Sequence, residues 1–396
     1  MDTTEVLISG ASIAGPAIAY WLRRQGHSVT VVERAPALRP GGQAVDLRGA
    51  GRTVIERMGL MPEARAVSLD QRGLAYVDGR GRITATMPAD AFGGEGIISE
   101  IEILRGDLGR LLVDAAGDVE YLFDDTITGI TQDDHGVDVT FENAAPRRFG
   151  LVIGADGLHS AVRRLAFGPE SDCVRPLECY TAYFTAPAAG DLDGWYMMHN
   201  LPGGRVASLR PGRLPGESKA SLSFRSAPVA RTGAAAHKDL LAERFAGGGW
   251  KVPWLLDAMR AAPDFAFDSV GQVHLDRWSN GRVVLLGDAG YCPTPLTGLG
   301  TSLALVGAYV LAGELAARAD HHSAFDRYER VLRPYVTTGQ ELPPGGIGGY
   351  APTSALAIRL GALTMRSMTR WPMRGILEKQ FAKAGGIDLP DYCLAG

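Results

Sequence analysis

Cysteine is scarce in this sequence. The four cysteines, Cys173, Cys179, Cys292 and Cys393, form no C-x-x-C pair. That argues against a disulfide framework or a zinc site and fits a reducing cytoplasmic setting. Charge of one sign is lacking too, with 40 Lys and Arg against 44 Asp and Glu. The chain as a whole therefore has no electrostatic bias toward nucleic acid or anionic lipid. The opening MDTTEVLISG has no basic n-region and no cleavage pattern, so it does not read as a signal peptide. One long uncharged run, Ala289–Gly313, carries Pro293, Pro295, Gly298 and Gly300 in its first half. The remainder is too short to span a bilayer and reads as a loop followed by a buried helix. H-E-x-x-H, G-x-S-x-G and P-loop patterns are missing, as are internal repeats and low-complexity tracts.

What is present is the material for a large core: 396 residues, 46% of them hydrophobic. Val6–Ser9 reads as a buried strand, Pro16–Gln25 has helical spacing, and SVTVVER reads as a second strand. This β-turn-α-β order is that of a nucleotide-binding unit whose right-handed crossover sets the strands side by side. A helix fits Arg105–Ala116, and short strands fit Leu74–Met87 and Glu120–Phe141. A strand ending at Ile153 opens into GADGLHSAVRR. From Tyr180 to Ser226 the alternating segments YTAYFTA, GWYMMHN, RVASLRP and KASLSFR predict an antiparallel sheet. A βα unit then returns at RVVLLGDAGYCPTPLTGLG, helical segments follow Pro334, and PPGGIGG (Pro343–Gly349) reads as a mobile connector.

The expected fold class is α/β: a discontinuous Rossmann-like nucleotide-binding domain with an inserted, mostly antiparallel β-sheet substrate domain and C-terminal helices. The nucleotide-binding part is assigned to residues 1–73, 100–167 and 268–335, the sheet to 74–99 and 168–267, and the helical end to 336–396.

The first turn is GASIAG, Gly10–Gly15, a G-x-S-x-x-G in which Ser12, Ile13 and Ala14 fill the middle. Gly10 turns tightly off the strand, and Gly15 lets the helix lie close to the sheet. The helix N-terminus offers unpaired N–H groups and about half a unit of positive charge to a diphosphate. Ser12 takes some of the room a glycine would leave but brings a hydroxyl. Glu33, eighteen residues after Gly15, can accept from ribose hydroxyls and opposes a 2′-phosphate; Arg34 can stack on adenine or lie along the phosphates. This segment alone leaves NAD and FAD open. Two later strand-to-helix turns carry Asp156–Gly157 and Gly287–Asp288. A carboxylate at Asp288 suits a linear polyol, which FAD has and the nicotinamide dinucleotide lacks. The helix Thr301–Leu315 can point its N-terminus at a flavin edge.

Taken together, the three turns resemble those of the single-component FAD-dependent aromatic hydroxylases of the para-hydroxybenzoate hydroxylase type, over most of the chain up to about Arg333. GGQAVDLRGAG and EILRGDLGRLL bring the chain nearest to the tetracycline-inactivating and polyketide-tailoring flavin monooxygenases. The resemblance implies cofactor contacts from Gly10–Gly15, Glu33, Arg34, Arg39, Gly42, Asp46, Arg48, Arg105, Asp156, Asp288, Pro295, Gly298, Leu299 and Gly300. Asp156 is the family's DG aspartate, implied to serve both FAD and NAD(P)H. Ser12, Gly150 and Tyr291 depart from the family pattern, the last standing where histidine is frequent.

The implied activity is hydroxylation of an aromatic or polyketide-like small molecule through a flavin C4a-hydroperoxide, with NAD(P)H and O2 as cosubstrates. The cofactor carries the hard step, so no catalytic dyad is nominated and no metal is expected. Substrate contacts are expected from Tyr183, Tyr196, Met198, Arg210 and Phe224 on the sheet and Pro295 on the flavin side. His199 and His274 read mainly as structural histidines. Arg359, Arg366, Arg370 and Arg374 share a helix face and read as a solvated stripe rather than a membrane contact. A monomer or homodimer is expected, with no nucleic acid partner and no membrane span. A halogenase would carry W-x-W-x-I-P, which WKVPWL (Trp250–Leu255) does not match. Baeyer–Villiger or epoxidising chemistry on the same fold, or a flavoprotein that only sequesters its ligand, stays open.

Overall fold

The computed structural model describes residues 4–94, 96, 98–230, 232–368, 374, 375, 378 and 382–392. Glu5–Ser9, all apolar after its first residue except the terminal serine, pairs in parallel with Ser28–Glu33 on one side and Leu151–Gly154 on the other. Glu120–Phe123 and Val283–Leu285 extend this sheet in parallel, and Ser279–Asn280 adds an antiparallel edge. The strands are hydrophobic runs because helices cover the sheet. Helix Ala14–Arg24 packs against Arg105–Ala116 and Gly300–Ala317, and Gly300–Ala317 in turn packs against Gly49–Arg57 and His321–Gly339.

The second large sheet has seven strands. In spatial order they are Ala266–Val273, Val174–Pro187, Glu217–Arg225, Arg205–Pro211, Trp195–Leu201, Gly73–Val77 and Ile83–Pro88. All its pairings are antiparallel except that of Trp195–Leu201 with Gly73–Val77. The strand Ala266–Val273 crosses the boundary expected at residue 268 and belongs wholly to this sheet. One face is apolar (Ala182, Phe184, Leu209, Leu222, Phe224) and is covered by Leu241, Phe245, Leu255 and Met259 of two helices and their ends. The other face looks toward the parallel-sheet body. A separate two-stranded antiparallel sheet pairs Ala44–Asp46 with Glu102–Leu104, segments far apart in the chain, and its Glu102 meets Arg210 of the large sheet.

Several expectations are corrected. Pro334 does not begin a new helix but sits inside His321–Gly339. Packing of Phe325, Tyr328, Leu332, Tyr335 and Val336 carries the helix past it. Part of the supposed mobile connector folds as the short helix Gly346–Tyr350, where the Tyr350 carbonyl accepts from Asn200 Nδ2 and its hydroxyl meets Ser223 Oγ at 2.8 Å. The uncharged run is, as expected, a loop followed by a buried helix: Gly300–Ala317 has 18 residues, long and apolar enough to cross a membrane, and is buried in the body of the protein. Arg359 and Arg366 lie exposed on helix Ala355–Ser367, and Arg366 Nε donates to the Thr84 carbonyl; Arg370 lies outside the described residues. Cys173, Cys179 and Cys292 are buried free thiols.

Leu305, fully buried in the central helix, tests how much that helix holds. Leu305→Ala should destabilise the fold by about 2–5 kcal/mol, read from urea denaturation with an unchanged slope.

Candidate active site

Three strand-to-helix turns meet at the carboxyl ends of three adjacent strands, Glu5–Ser9, Leu151–Gly154 and Val283–Leu285, of the parallel sheet. A Cβ on Gly10, whose φ is +105°, would lie 2.5 Å from the Ala155 carbonyl oxygen, and one on Gly15 only 1.9 Å from the Gly10 carbonyl. These glycines set the close approach of the first turn to the second. A Cβ on Gly287 would lie 3.1 Å from Ala14 Cβ, which brings in the third turn. Arg163, almost fully buried, links the second and third turns by donating to the Ala289 carbonyl at 2.8 Å and to the Leu158 carbonyl. Arg163 carries no motif signal and was missed.

The expected cofactor residues fall into two groups. Some face the junction. Ser12 Oγ accepts from Arg105 Nε at 2.9 Å, so the hydroxyl that replaces glycine anchors this arginine to the first turn. Arg105 also bears on Asp288, whose carboxyl is pushed up by burial against the opposing pull of the Arg105 charge. Gly298, at φ +65°, sits 3.4 Å (from its would-be Cβ) from Asp46 Oδ2. Leu299 and Gly300 open the central helix beside it. Arg34, Arg39, Gly42 and Pro295 are exposed.

Others are already engaged by the protein. Glu33 accepts from the Ala11 and Ala35 amides, at 2.9 and 2.8 Å, so it braces the first turn. Asp156 accepts from the Ala161 and Val162 amides and from Ser9 and Ser160 hydroxyls, acting as a cap for the following helix. Arg48 is buried against Asp46 at 2.7 Å and donates to the Gly96 carbonyl.

The turns fit a dinucleotide flavin. Among the described residues, the helices Ala14–Arg24 and Gly300–Ala317 have no side-chain cap at their N-termini, which leaves their first amides able to meet an anion or a flavin carbonyl. Thr294, held at φ +85°, buries its Oγ1 with no partner among the described residues, in the loop that leads to the central helix. Such an orphaned hydroxyl calls for an acceptor or donor that the chain itself does not supply.

The sheet face opposite the apolar helices carries the expected substrate residues, with one correction. Register places Tyr183 opposite Ser221, Ser208 opposite both Ser221 and Met198, and Arg210 opposite Lys219. Arg210 lies over the Tyr196 ring at 3.9 Å, and Tyr196 Oη donates to Ser208 Oγ at 3.2 Å. Burial, then Tyr196, pushes the Tyr183 phenol up; the same causes raise Tyr76 to about 12. Met198 shares the face but packs with Leu74, Met87 and Met365. Phe224 belongs to the other face. It alternates with Ser223, and a strand's period of two turns it into the helix-covered core. His199 bonds the Val77 carbonyl and His274 meets Gln272, which accords with structural roles. Tyr291 bonds Tyr328 at 2.9 Å deep in the core, so its departure from histidine does not touch this face. Gly150 is a tight turn whose Cβ would meet Thr4 at 2.3 Å.

Two residues join the sheet to the junction and were not foreseen. Glu102 accepts from Arg210 at 3.1 and 3.2 Å. Gln272 Nε2 donates to the carbonyls of Pro293 and Gln340. Neither lies in a motif; an acidic residue in the otherwise apolar EIL strand was the available signal for Glu102.

His159, in the second turn, is held by Asp268 at 2.8 Å and Glu170 at 3.1 Å, and chiefly the Asp268 bond raises its pKa. A raised imidazolium stabilises the fold fully below the ordinary histidine range and ceases to do so as pH rises through the raised value. The stability difference between wild type and His159→Gln should therefore be largest in mild acid and vanish in alkali, as measured by denaturation across pH.

A family model described as FAD binding domain matches residues 3–338. The chain is 38% identical over 392 residues to a flavin-dependent monooxygenase of an unknown prokaryotic organism, covering 98% of this chain and 99% of that one. It is 47% identical over 355 residues to an uncharacterised Mycobacterium tuberculosis protein, covering 88% and 94%. The crystal structure of the tetracycline destructase Tet(55) superposes with a TM-score of 0.82 at 36% identity, covering 98% of this chain and 99% of that one. The motifs, the converging turns and these likenesses agree: the chain belongs to the FAD-binding-domain family and is an FAD-dependent monooxygenase.

Proposed function

We propose that this enzyme hydroxylates a planar aromatic or polyketide-like small molecule, using NAD(P)H and O2. The observation that carries the reading is the sheet face of Tyr76, Tyr183, Tyr196, Arg210 and small hydroxyl residues, tied through Glu102 to the two-stranded sheet beside the Pro295–Gly300 loop. The similarity to a tetracycline destructase supports a polycyclic ligand. Residues 1–72, 100–167 and 274–335 form the cofactor-binding part in this reading, and the inserted sheet, which takes in Gly73 and the whole strand Ala266–Val273, forms the substrate part. A cytoplasmic monomer or homodimer is part of the same proposal.

Within it, the Gly10–Gly15 turn and the start of helix Ala14–Arg24 would hold the pyrophosphate, with Glu33 and Arg34 at the adenosine end. Arg39, Gly42 and Arg105 would line the phosphate–ribityl path, and Asp288 would take a ribityl hydroxyl. The Pro295–Gly300 loop would lie against the ring, with Asp46 and Arg48 behind it. When bound, FAD supplies the redox chemistry, accepting reducing equivalents from NAD(P)H and passing one oxygen atom of O2 to the substrate. The first amides of helix Gly300–Ala317 would stabilise negative charge at the ring edge. The tyrosines would orient the substrate plane and exclude water from it.

Two measurements test this. Arg105→Met should weaken FAD binding by about tenfold, the scale of one charge-assisted hydrogen bond, and Gly15→Ala should lose FAD and destabilise the fold by about 1–3 kcal/mol; fluorescence titration and thermal unfolding read both. The FAD-loaded enzyme, given a panel of phenols and polycyclic polyketides, should show stimulated NADH or NADPH oxidation and a product heavier by one oxygen. Ligand binding with no stimulated oxidation and no mass gain would establish sequestration instead.

A further inference from the structure

Four buried charges meet where the sheet face approaches the flavin loop. Asp46 and Glu102 are cross-strand partners in the two-stranded sheet. Arg48 pairs with Asp46 at 2.7 Å, their side chains 4% and 14% exposed. Arg210, from the large sheet, pairs with Glu102 at 3.1 Å, their side chains 12% and 5% exposed. With both carboxyls ionised the four charges sum to zero.

The neighbouring groups do not alter that balance. Lys219, opposite Arg210 in register, spends its Nζ on Thr185 and Glu217. Burial pushes the Tyr183 phenol up, which keeps it protonated, and Arg105 is turned toward Ser12. Glu102 takes up only one nitrogen of Arg210: both bonds come from Nη1, and among the described residues Nε and Nη2 make none. An anion arriving at Arg210 would leave a net negative charge beside two carboxylates in a poorly solvated place, which is strongly unfavourable. A neutral carbonyl or phenol oxygen adds no charge and still finds two donors.

We propose that Glu102 determines specificity: it is an internal counter-anion that reserves Arg210 for neutral carbonyl or phenol oxygens and disfavours anionic ligands. This rests on reading the tyrosine face as the substrate surface. It carries a consequence for pH. Burial pushes the Glu102 carboxyl up to about 6, against the pull of Arg210 and with a further push from Asp46. As pH falls through that value Glu102 takes a proton, the four groups become net positive, and an anion can bind. Anion binding is thereby coupled to uptake of one proton at Glu102.

The test uses the FAD-loaded enzyme and two probes of one ring system, 2-naphthol, which stays neutral in this range, and naphthalene-2-sulfonate, which stays anionic. Binding is read from perturbation of the flavin absorbance and from tryptophan fluorescence. In the wild type, affinity for the sulfonate should rise about tenfold or more from about pH 8 to about pH 5.5, while that for 2-naphthol stays level. In Glu102→Gln the sulfonate should bind at the acid-limit affinity throughout, with no pH dependence. Intact 2-naphthol binding with a pH-independent sulfonate affinity in the wild type overturns the role of Glu102 alone. Failure of both probes to bind at any pH overturns the assignment of the face itself. Should Glu102→Gln not fold, the wild-type titration decides the matter by itself.

Discussion

The site depends on the close approach of three backbone turns at the carboxyl ends of three adjacent strands of the parallel sheet. Gly10 and Gly15 have no room for a Cβ because the Ala155 carbonyl and the first turn's own carbonyl occupy it. That crowding aims the first amides of helix Ala14–Arg24 into the junction instead of into a neighbouring side chain. Gly287 extends the same contact to the third turn, and Arg163 ties the third turn to the second through two carbonyls. In the proposed binding mode, anything that widened one of these approaches would separate the turn assigned to the pyrophosphate from the loop assigned to the flavin ring. A site distributed over turns so distant in sequence needs this rigidity, since positioning is the protein's main contribution when a cofactor supplies the reactive chemistry.

Much of this was legible in the sequence because it is local. A glycine at a tight turn, a buried strand before it and a helix after it all fall within a few residues, and periodicity finds them. The central helix and the alternating strands of the large sheet were legible for the same reason. Phe224 was misread because alternation fixes which residues share a face but not which face meets the cofactor; that is decided by the helices Ala234–Arg244 and Val252–Ala261 that cover one side. Tyr291 was legible as a departure, but not as a core residue, because its partner Tyr328 lies 37 positions away. Glu33 and Asp156 were expected to face the cofactor, yet each spends its oxygens on backbone amides. A carboxylate oxygen has more than one lone pair, so bracing a turn and accepting a ligand hydroxyl are compatible, and a motif cannot tell the two apart.

Glu102, Arg163 and Gln272 were illegible for a different reason. Each acts across a long sequence separation, and each is explained only by the polar group it meets. Buried polar side chains are tolerated when their partners are present. In a single sequence they look like noise in an apolar segment, and the structure is needed to show the partner.

The seven-stranded sheet shows how one strand can serve two opposite demands. On Glu217–Arg225, Ala220, Leu222 and Phe224 fill a dry core, while Lys219, Ser221 and Ser223 alternate with them on the other side. The hydroxyls on that side are satisfied among themselves: Ser208 with Ser221 at 2.6 Å, Thr181 with Ser223 at 3.0 Å, and Ser223 with Tyr350. The face is therefore polar without requiring a ligand to complete its hydrogen bonds. In the proposed reading, recognition would be left to the parts that are not self-satisfied, namely the ring faces of the tyrosines and the free edge of Arg210. A surface built this way constrains shape and charge more tightly than it constrains the pattern of substituents, which suits an enzyme whose reactive oxygen comes from its cofactor and whose substrate need only be held flat and dry beside it.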